Sequence, residues 1–355
     1  MSKSVIIYSS FNNYEMLKYE VIKRVSFENN LVINVDDHSN KDQKELGEKV
    51  CKENDIIFIQ NKGKGVQFAV QTAIDYIKEK NMEFEWLFCL QQDCYPMGDN
   101  FFSSFDSKIE TYNLQNVSAF GFNNLDDGAS TIKTLPQYIS GKKPRAWMGI
   151  FFLSDTKKSN HRMSVFHRIA VFIYSISPSK RLREKARLFK LSRRWFSEKF
   201  FYNFKKTSKK FNGIFSIELP AWTSVAINIR DWEEFVKVDD KYIFHLWFPD
   251  VAMQFLSKNK NIAVMSNLYV HNDQSIKEKY GMNKCSADAG KKSENDHVED
   301  YGDHLNIFEN KWGFSYEDPK NTFQNVRSRY KGTLVEKYYN HDCREGPLIS
   351  YKKYI

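Results

Sequence analysis

Long apolar runs are absent from this chain of 355 residues. The longest candidate, Ile169 to Ile176, is far shorter than the roughly 18 residues that a membrane-spanning helix needs. The N-terminus leads directly into a predicted strand and lacks the layout of a signal peptide. These two absences predict a cytoplasmic protein.

Cysteine is scarce as well: the five cysteines are odd in number and form no CxxC pair. This pattern argues against a disulfide framework and against a zinc ribbon. Reduced thiols are the simpler interpretation. A hydrophobic fraction of 41% over 355 residues is still enough to build a substantial core.

Acidic residues are nearly missing from one segment, residues 156–210. It contains 17 lysines and arginines but only two acids, a formal charge of +15, whereas the rest of the chain sums to −6. Apolar residues recur between the cations at the three-to-four spacing of an amphipathic helix. Such a helix can lie on an anionic membrane surface, on the inner face of the cell membrane, or pack on the protein with a solvated basic face. Nucleic acid is not the expected partner, because no recognised nucleic-acid-binding module accompanies the segment.

Apolar runs and helical patterns alternate through the first 125 residues. The runs are SVIIYSS, LVINVDD, DIIFIQN, EWLFCLQQD and VSAFGFNN, and the helices are predicted at about 14–27, from 41, at about 66–80 and from about 100. Strands that are spaced by helices and rich in β-branched and aromatic residues are typical of a mainly parallel sheet covered on both faces. The sequence therefore predicts an α/β fold.

Each of the first four predicted strands ends on polar residues. The strand ends are 9–12, 36–37, 61–63 and 92–93. Each could be a helix cap or a turn, but together they favour a binding edge, since ligands of such sheets collect at the carboxyl ends of the strands. The third end, NKGKG, lacks the third glycine of GxGxxG and the GK[ST] ending of a P-loop, which disfavours nicotinamide and ATP sites of those types.

Four quoted stretches, VIIYSSFNN, VINVDDHSN, NKGKGVQFA and WLFCLQQDCYP, resemble the signature strands of inverting glycosyltransferases of family 2, which have the GT-A (Rossmann-like) fold and include many bacterial surface-polysaccharide enzymes. The resemblance covers roughly Val5 to His271. It implies transfer of a sugar from a nucleoside diphosphate, with UDP favoured and dTDP next, to a saccharide or lipid-linked saccharide acceptor during capsule or O-antigen assembly. Residues of the donor nucleotide site implied by the resemblance are Ser9, Phe11, Asp36, Asp37 as second choice to Asp36, Lys62 and Gln92.

The resemblance also implies a divalent metal, Mn²⁺ or Mg²⁺, on the donor diphosphate. Asp93 corresponds to the last aspartate of the DxD motif, and His271 corresponds to a third metal or diphosphate ligand. Gln91 occupies the position of the first aspartate, and an amide is a weaker ligand than a carboxylate. A hard cation held by carboxylates and substrate oxygens is chemically suited to neutralise a diphosphate leaving group.

The segment HLWFPDVAMQFL resembles the family's ED segment, whose aspartate acts as general base. Here that aspartate is Asp250, and Pro249 replaces the acidic neighbour. Because an inverting displacement needs a base on the far side of the sugar, Asp250 suits the role, although it could instead cap a helix that starts at Val251. Trp222 lies where such enzymes meet the acceptor sugar, with burial in the core as the alternative.

These inferences divide the chain into a nucleotide-sugar half (1–125), an acceptor and catalytic half (126–275) containing the basic segment, and a C-terminal extension (276–355). Within the extension, GDHLNIFENKWG resembles a stretch in related transferases where Lys-Trp-Gly closes the core. Two other functions stay open. One is a non-catalytic sugar- or polymer-binding scaffold at the membrane, and the other is a nucleic-acid-binding protein that uses the basic segment.

Overall fold

Ten strands in the described part of the chain form one sheet. The structure is a computed structural model, and it describes residues 4–112, 114, 117–126, 213–216, 224–258, 260–272, 280, 301–313 and 349–350. The strands are β1 (Ser4–Ser10), β2 (Leu31–Asp36), β3 (Ile57–Gln60), β4 (Trp86–Gln91), β5 (Cys94–Pro96), β6 (Val117–Asp126), β7 (Gly213–Ser216), β8 (Ser224–Asn228), β9 (Asn261–Asn272) and β10 (Ile349–Ser350). All three predicted segments of the chain therefore contribute strands to the same sheet.

The described helices lie mostly between these strands. They are α1 (Tyr14–Met16), α2 (Lys41–Glu53), α3 (Gly65–Glu79), α4 (Phe101–Tyr112), α5 (Ile229–Phe235), α6 (Trp247–Ser257) and α7 (Tyr301–Trp312). None of the described helices is long and apolar enough to cross a bilayer.

The first predicted helix is shorter and less regular than expected. A π-helical turn at Leu17–Val21 and a 3₁₀ turn at Ile22–Arg24 continue α1, so helical structure ends at Arg24. The chain then becomes extended at Val25 and turns through residues with positive φ at Glu28 and Asn29. This turn, which the apolar spacing did not indicate, directs the chain into β2.

The sheet is mixed, and its parallel part is the one that the sequence predicted. Strands β3, β2, β1 and β4 lie side by side and parallel. Beyond β4, the antiparallel strand β8 joins this part to β6 and β9, which are parallel to each other, and β7 and β10 complete the order. The described part of the chain is thus an α/β structure with a mixed, mostly parallel sheet, in which β5, β7 and β8 run antiparallel to the strands they pair with.

Both faces of the sheet are buried, as the nearly continuous apolar runs predict. Along β1, Val5 and Ile7 face a core shared with α3, α6 and α7, whereas Ile6 and Tyr8 face a core shared with α1 and α4. All four side chains are fully buried. Burying one aliphatic side chain stabilises the fold by about 1.5–3 kcal/mol. A slip of one residue would move every side chain of β1 to the other face, so burial on both faces fixes the register of the strand.

Helix α6 begins four residues earlier than the sequence suggests. Its N-cap is Leu246, which has φ of 55°, and the helix starts at Trp247. Pro249 is tolerated because the N–H groups of the first turn have no partner within the helix. The predicted start at Val251 is therefore wrong, and Asp250 lies in the first turn and does not cap the helix.

Candidate functional site

The carboxyl ends of β1, β2 and β4 meet at one edge of the sheet. Ser9 is in register with Val35 on one side and with Gln91 on the other, so these three residues share a face. Ser9 is half-buried and Gln91 is 8% exposed. In the part of the chain that the structure describes, the side-chain N–H₂ of Gln91 has no acceptor. The edge therefore has a buried donor whose hydrogen-bonding capacity is unused.

The loop after β1 is fixed from both sides. The Gln92 amide makes two reciprocal hydrogen bonds with the backbone of Phe11, accepting at 3.1 Å and donating at 3.2 Å. On the other side, the Asn12 N–H donates to the Ser39 hydroxyl, and the Asn40 N–H donates to the Asn12 side chain. Gln92 is therefore a support that holds Phe11 at the edge.

Asp36 is fully buried within a network of neutral groups. The Tyr14 hydroxyl donates to Oδ1 at 2.7 Å, and the Ser39 N–H and the Gln60 amide donate to Oδ2, both at 3.1 Å. The Asn34 amide in turn donates to the Tyr14 hydroxyl. Asp36 thus ties together the loops that follow β1 and β2, and its oxygens already have donors.

Asp37 lies at the N-terminus of α3 and remains partly exposed. Both of its oxygens accept from the Gly65 N–H at 3.0 Å, and Oδ1 also accepts from the Asn61 amide at 2.8 Å. A carboxylate at this position is favoured by the partial positive charge at the start of a helix. The NKGKG loop therefore holds a carboxylate of the protein's own chain in this structure.

Gly65 permits a close crossing of two chain segments. It has φ of +84°, and a Cβ there would lie 2.5 Å from the backbone of Ile243. The next residue, Val66, donates its N–H to the Ile243 carbonyl at 2.9 Å. Only glycine satisfies both requirements, so the loop before α6 packs directly on the start of α3.

Lys62 is directed along the outer side of α3. Its ammonium lies 3.1 Å from both Asp75 and Glu79, and its side chain is 55% exposed. These two carboxylates hold the pKa of Lys62 above its ordinary value. The charge of Lys62 is thus partnered within the loop and helix that carry it.

Asp93 lies in the two-residue turn between β4 and β5 and is 3% exposed. Its Oδ1 accepts a hydrogen bond from the Cys94 thiol at 3.4 Å. Backbone pairing of β5 with β9 places His271 opposite Tyr95, two residues beyond Asp93. The fold therefore brings together the two chain positions at which the sequence predicts metal ligands. Within the described residues, no group of three or more histidine, cysteine, aspartate and glutamate side chains is arranged to hold a metal ion.

Asp250 is fully buried and accepts hydrogen bonds at both oxygens. Oδ1 lies 2.8 Å from the Trp312 indole nitrogen and 2.9 Å from the Lys311 ammonium. Oδ2 accepts from Gln254 at 3.0 Å, from Lys311 at 3.1 Å and from Gln67 at 3.3 Å. Helices α3, α6 and α7 are therefore joined through one carboxylate.

The Lys311 ammonium lies between two carboxylates, because it also contacts Asp239 at 2.9 Å. Burial raises the pKa of Asp250, and this effect outweighs the opposing influence of Lys311 and the other donors. Burial alone would lower the pKa of Lys311, but Asp250 and Asp239 raise it. Asp239, although partly buried, has a lowered pKa because of its contacts with Lys311 and Lys241. The cluster thus places Asp250, a carboxylate with a raised pKa, beside Lys311, which stays protonated.

Gln67, Lys311 and Trp312 are among the participants in this cluster whose contact with Asp250 the sequence did not predict. Gln67 lies within the quoted stretch NKGKGVQFA, and Lys311 and Trp312 lie within the stretch interpreted as closing the core. Nothing in the local sequence around any of them indicates a buried aspartate as the partner. Trp222 and the basic segment 156–210 lie outside the described residues, and the predictions for them remain predictions.

No protein-family model matches the chain, and no curated protein matches it significantly. Among solved structures, the chain is similar to S. aureus TarS 1-349 in complex with UDP-GlcNAc, with 11% identity and a TM-score of 0.42, covering 96% of this chain and 74% of that one. It is also similar to the mannosyltransferase PcManGT from Pyrobaculum calidifontis in complex with GDP-Man and Mn²⁺, with 9% identity and a TM-score of 0.40, covering 76% of this chain and 56% of that one. These similarities are too distant to place the chain in a family.

Proposed function

We propose that this protein transfers a sugar from a nucleoside diphosphate, preferably a UDP-sugar and next a dTDP-sugar, to a saccharide acceptor with inversion at the anomeric carbon. We place the reaction in the assembly of a bacterial surface polysaccharide. One observation carries the proposal: the first turn of α3 contacts Asp37 through Gly65 and Asp250 through Gln67. An inverting transfer needs a donor site and a base that act on the same sugar, and this turn connects a carboxylate suited to each.

The donor nucleoside is proposed to bind at the edge formed by Ser9, Phe11 and Asp37. Asp37 is partly exposed and can accept from the base or the ribose, whereas Asp36 is buried and supports the loops around it. Gln92 holds the backbone of Phe11. Lys62 is not part of the proposed donor site, because its ammonium is already paired with Asp75 and Glu79.

The residues after β4 fit a divalent ion that arrives with the diphosphate. Mg²⁺ in phosphate-binding sites is commonly bound through one or two carboxylates together with substrate oxygens, and Asp93 supplies one buried carboxylate. His271, placed by its backbone opposite Tyr95, is the second proposed ligand. When bound, the ion would neutralise charge on the leaving diphosphate. The N–H₂ of Gln91 can donate to the same substrate.

Asp250 is the proposed base for the acceptor hydroxyl. Burial raises the pKa of Asp250, which strengthens it as a base. Its two oxygens are occupied by four side chains, so one of them must yield to the acceptor. Lys311 is the most exposed of the four and has Asp239 as an alternative partner, which makes it the donor that moves.

A non-catalytic sugar-binding scaffold is the second candidate. The occupied oxygens of Asp250 and the amide at Gln91 favour it, because both reduce the number of groups that are immediately available for chemistry. A scaffold would bind saccharide or nucleotide without turning over the donor.

The thermal midpoint measured with UDP, dTDP, GDP and CMP, each with and without Mn²⁺ or Mg²⁺, tests the donor site. A ligand that binds only the folded state raises the midpoint in proportion to its affinity. We expect a metal-dependent rise with UDP or dTDP that is lost in Asp93→Ala.

The matched control for this measurement is Asp231→Ala. Asp231 is 6% exposed and lies in α5, where its N–H donates to the side chain of the N-cap residue Asn228. Asn228 pairs with Trp86, the first residue of β4, so this site lies at the opposite end of β4 from Asp93. Asp231→Ala should lower the midpoint yet keep the rise caused by the nucleotide. If no nucleotide raises the midpoint of the wild-type protein, the proposed donor site is wrong.

A further inference from the structure

Helix α7 contributes two neighbouring side chains to Asp250 from far along the chain. The Trp312 indole and the Lys311 ammonium both reach Oδ1, at 2.8 Å and 2.9 Å, across 62 and 61 positions of sequence. Ordinary closure of a core needs apolar contacts only, and Phe308 of the same helix supplies those. Two polar contacts with one carboxylate oxygen are more than packing requires.

The charges around Asp250 are few and can be named. Lys311 comes from α7, and Asp239 comes from the loop before α6. Tyr242 is buried beside them, with the Lys311 ammonium 5.4 Å from its ring, and its pKa is raised by burial and by the two aspartates. His304 stacks on Tyr242 and contacts His245, so two buried histidines lie beside the cluster. Lys311 is thus the nearest cation to Asp250 in the described part of the chain.

We propose that Lys311 and Trp312 are positioning residues for Asp250: Trp312 fixes Oδ1, and Lys311 moves to Asp239 when the acceptor hydroxyl takes its place. This inference rests on the proposed transferase function. It makes α7 part of the reaction machinery, although both residues act through Asp250 and neither is proposed to contact the substrate. A single ammonium between two carboxylates has a second charged partner to move to, whereas the Gln67 and Gln254 amides, which also donate to the Trp247 and Lys237 carbonyls, have neutral second partners.

The fold offers a matched ion pair that has no part in the proposal. Lys260 lies 2.9 Å from Asp231, with side-chain exposures of 24% and 8%, whereas Lys311 and Asp250 have exposures of 32% and 0%. Lys260→Met therefore removes a half-buried cation from a buried aspartate elsewhere in the molecule. Any effect that Lys311→Met shares with Lys260→Met is structural.

The first measurement is the pH profile of transfer for Lys311→Met, Lys311→Arg and Trp312→Phe. A cation within about 4–6 Å lowers the pKa of a carboxylate by roughly 1–3 units, so Lys311→Met should move the acid limb upward by about one unit or more. Lys311→Arg should restore most of the profile, and Trp312→Phe should produce a smaller upward shift. Lys260→Met should leave the acid limb of the pH profile unchanged.

The second measurement needs no activity: the difference in unfolding free energy between the wild-type protein and Asp250→Asn, followed against pH. Because the folded pKa of Asp250 is raised, this difference falls as the pH rises above the ordinary value of 3.8 and levels off above the folded pKa. In the Lys311→Met background, the levelling should occur at a higher pH. If Lys311→Met changes neither the pH at which this free-energy difference levels off nor the acid limb of the transfer profile, the positioning role is overturned. If that pH rises in Lys311→Met but the wild-type protein transfers no sugar, Lys311 does control Asp250 and it is the proposed function that is wrong.

Discussion

Asp36 and Asp250 are both fully buried carboxylates, yet their surroundings differ in kind. Asp36 is held by neutral donors that all lie within 24 positions of it in sequence. Asp250 is held by a cation as well as neutral donors. These come from its own helix α6 and from α3 and α7, whose donors are 183 and 61–62 positions away in sequence. The first arrangement orders a local edge, and the second gathers distant parts of the chain around one titratable group.

The difference bears on which carboxylate suits the proposed role of general base. Local neutral hydrogen bonds are sufficient to fix loops, and the donors to Asp36 include no cation that could move to a second carboxylate. A buried ion pair adds little net stability compared with well-packed apolar residues, although breaking one partner is strongly destabilising. The cluster around Asp250 is therefore hard to explain as a stability device alone, which supports the proposed role as base.

The largest expected difference between Asp250 and Asp36 is in the rate of sugar transfer. Asp250→Asn should reduce turnover by roughly 10²–10⁴-fold, the usual contribution of a general base, and leave the nucleotide-induced rise in thermal midpoint nearly unchanged. The measurement is initial-rate transfer alongside thermal stability with nucleotide. Turnover equal to the wild-type value would remove Asp250 from the mechanism.

The next effect is on stability. Lys311→Met leaves Asp250 buried without its cation, and we expect a loss of about 3 kcal/mol in unfolding free energy at neutral pH. Adding Asp250→Asn should recover a large part of that loss, because the uncompensated charge is gone. Urea unfolding of the two single variants and the double variant measures this coupling. If the double variant loses as much unfolding free energy as the two single variants together, the uncompensated charge of Asp250 is not the cause of the loss in Lys311→Met.

The smallest effect concerns the neutral network of Asp36. Burial and the Asp36 carboxylate raise the pKa of Tyr14, so its hydroxyl stays protonated and donates. Tyr14→Phe should cost about 1–3 kcal/mol, since Asp36 loses a donor. The matched control is Tyr8→Phe: the Tyr8 hydroxyl is equally buried but has no hydrogen-bond partner among the described residues. Urea unfolding should show Tyr8→Phe to be neutral or slightly stabilising; equal losses in both variants would contradict the assignment.

The sequence predicted the parts of the fold that depend on neighbours in the chain. The four parallel strands, α2, α3 and α4 follow from apolar runs and helical spacing, and the polar strand ends do meet at one edge. The end of the first helix at Arg24 and the start of α6 at Trp247 depend on backbone turns, at Asn29 and Leu246, that hydrophobic periodicity does not encode.

The missing part of the candidate site depends on contacts across long stretches of chain. The direction of β8 and the approach of Lys311 to Asp250 are set by tertiary packing, and no local pattern marks either. A lysine beside a tryptophan near the end of a helix is ordinary. Only the assembled structure shows that both side chains meet the same carboxylate.

The crossing of Gly65 and Ile243 has a consequence for the order of folding. Gln67 and Asp250, which flank this crossing, are 183 positions apart, so the contact closes a very long loop, and such contacts form slowly. The Val66 amide, bonded to Ile243, is a reporter of this closure by hydrogen exchange. If Val66 exchanges faster than the amides of β1 and β2, the α3–α6 seam opens on its own while the parallel sheet remains intact.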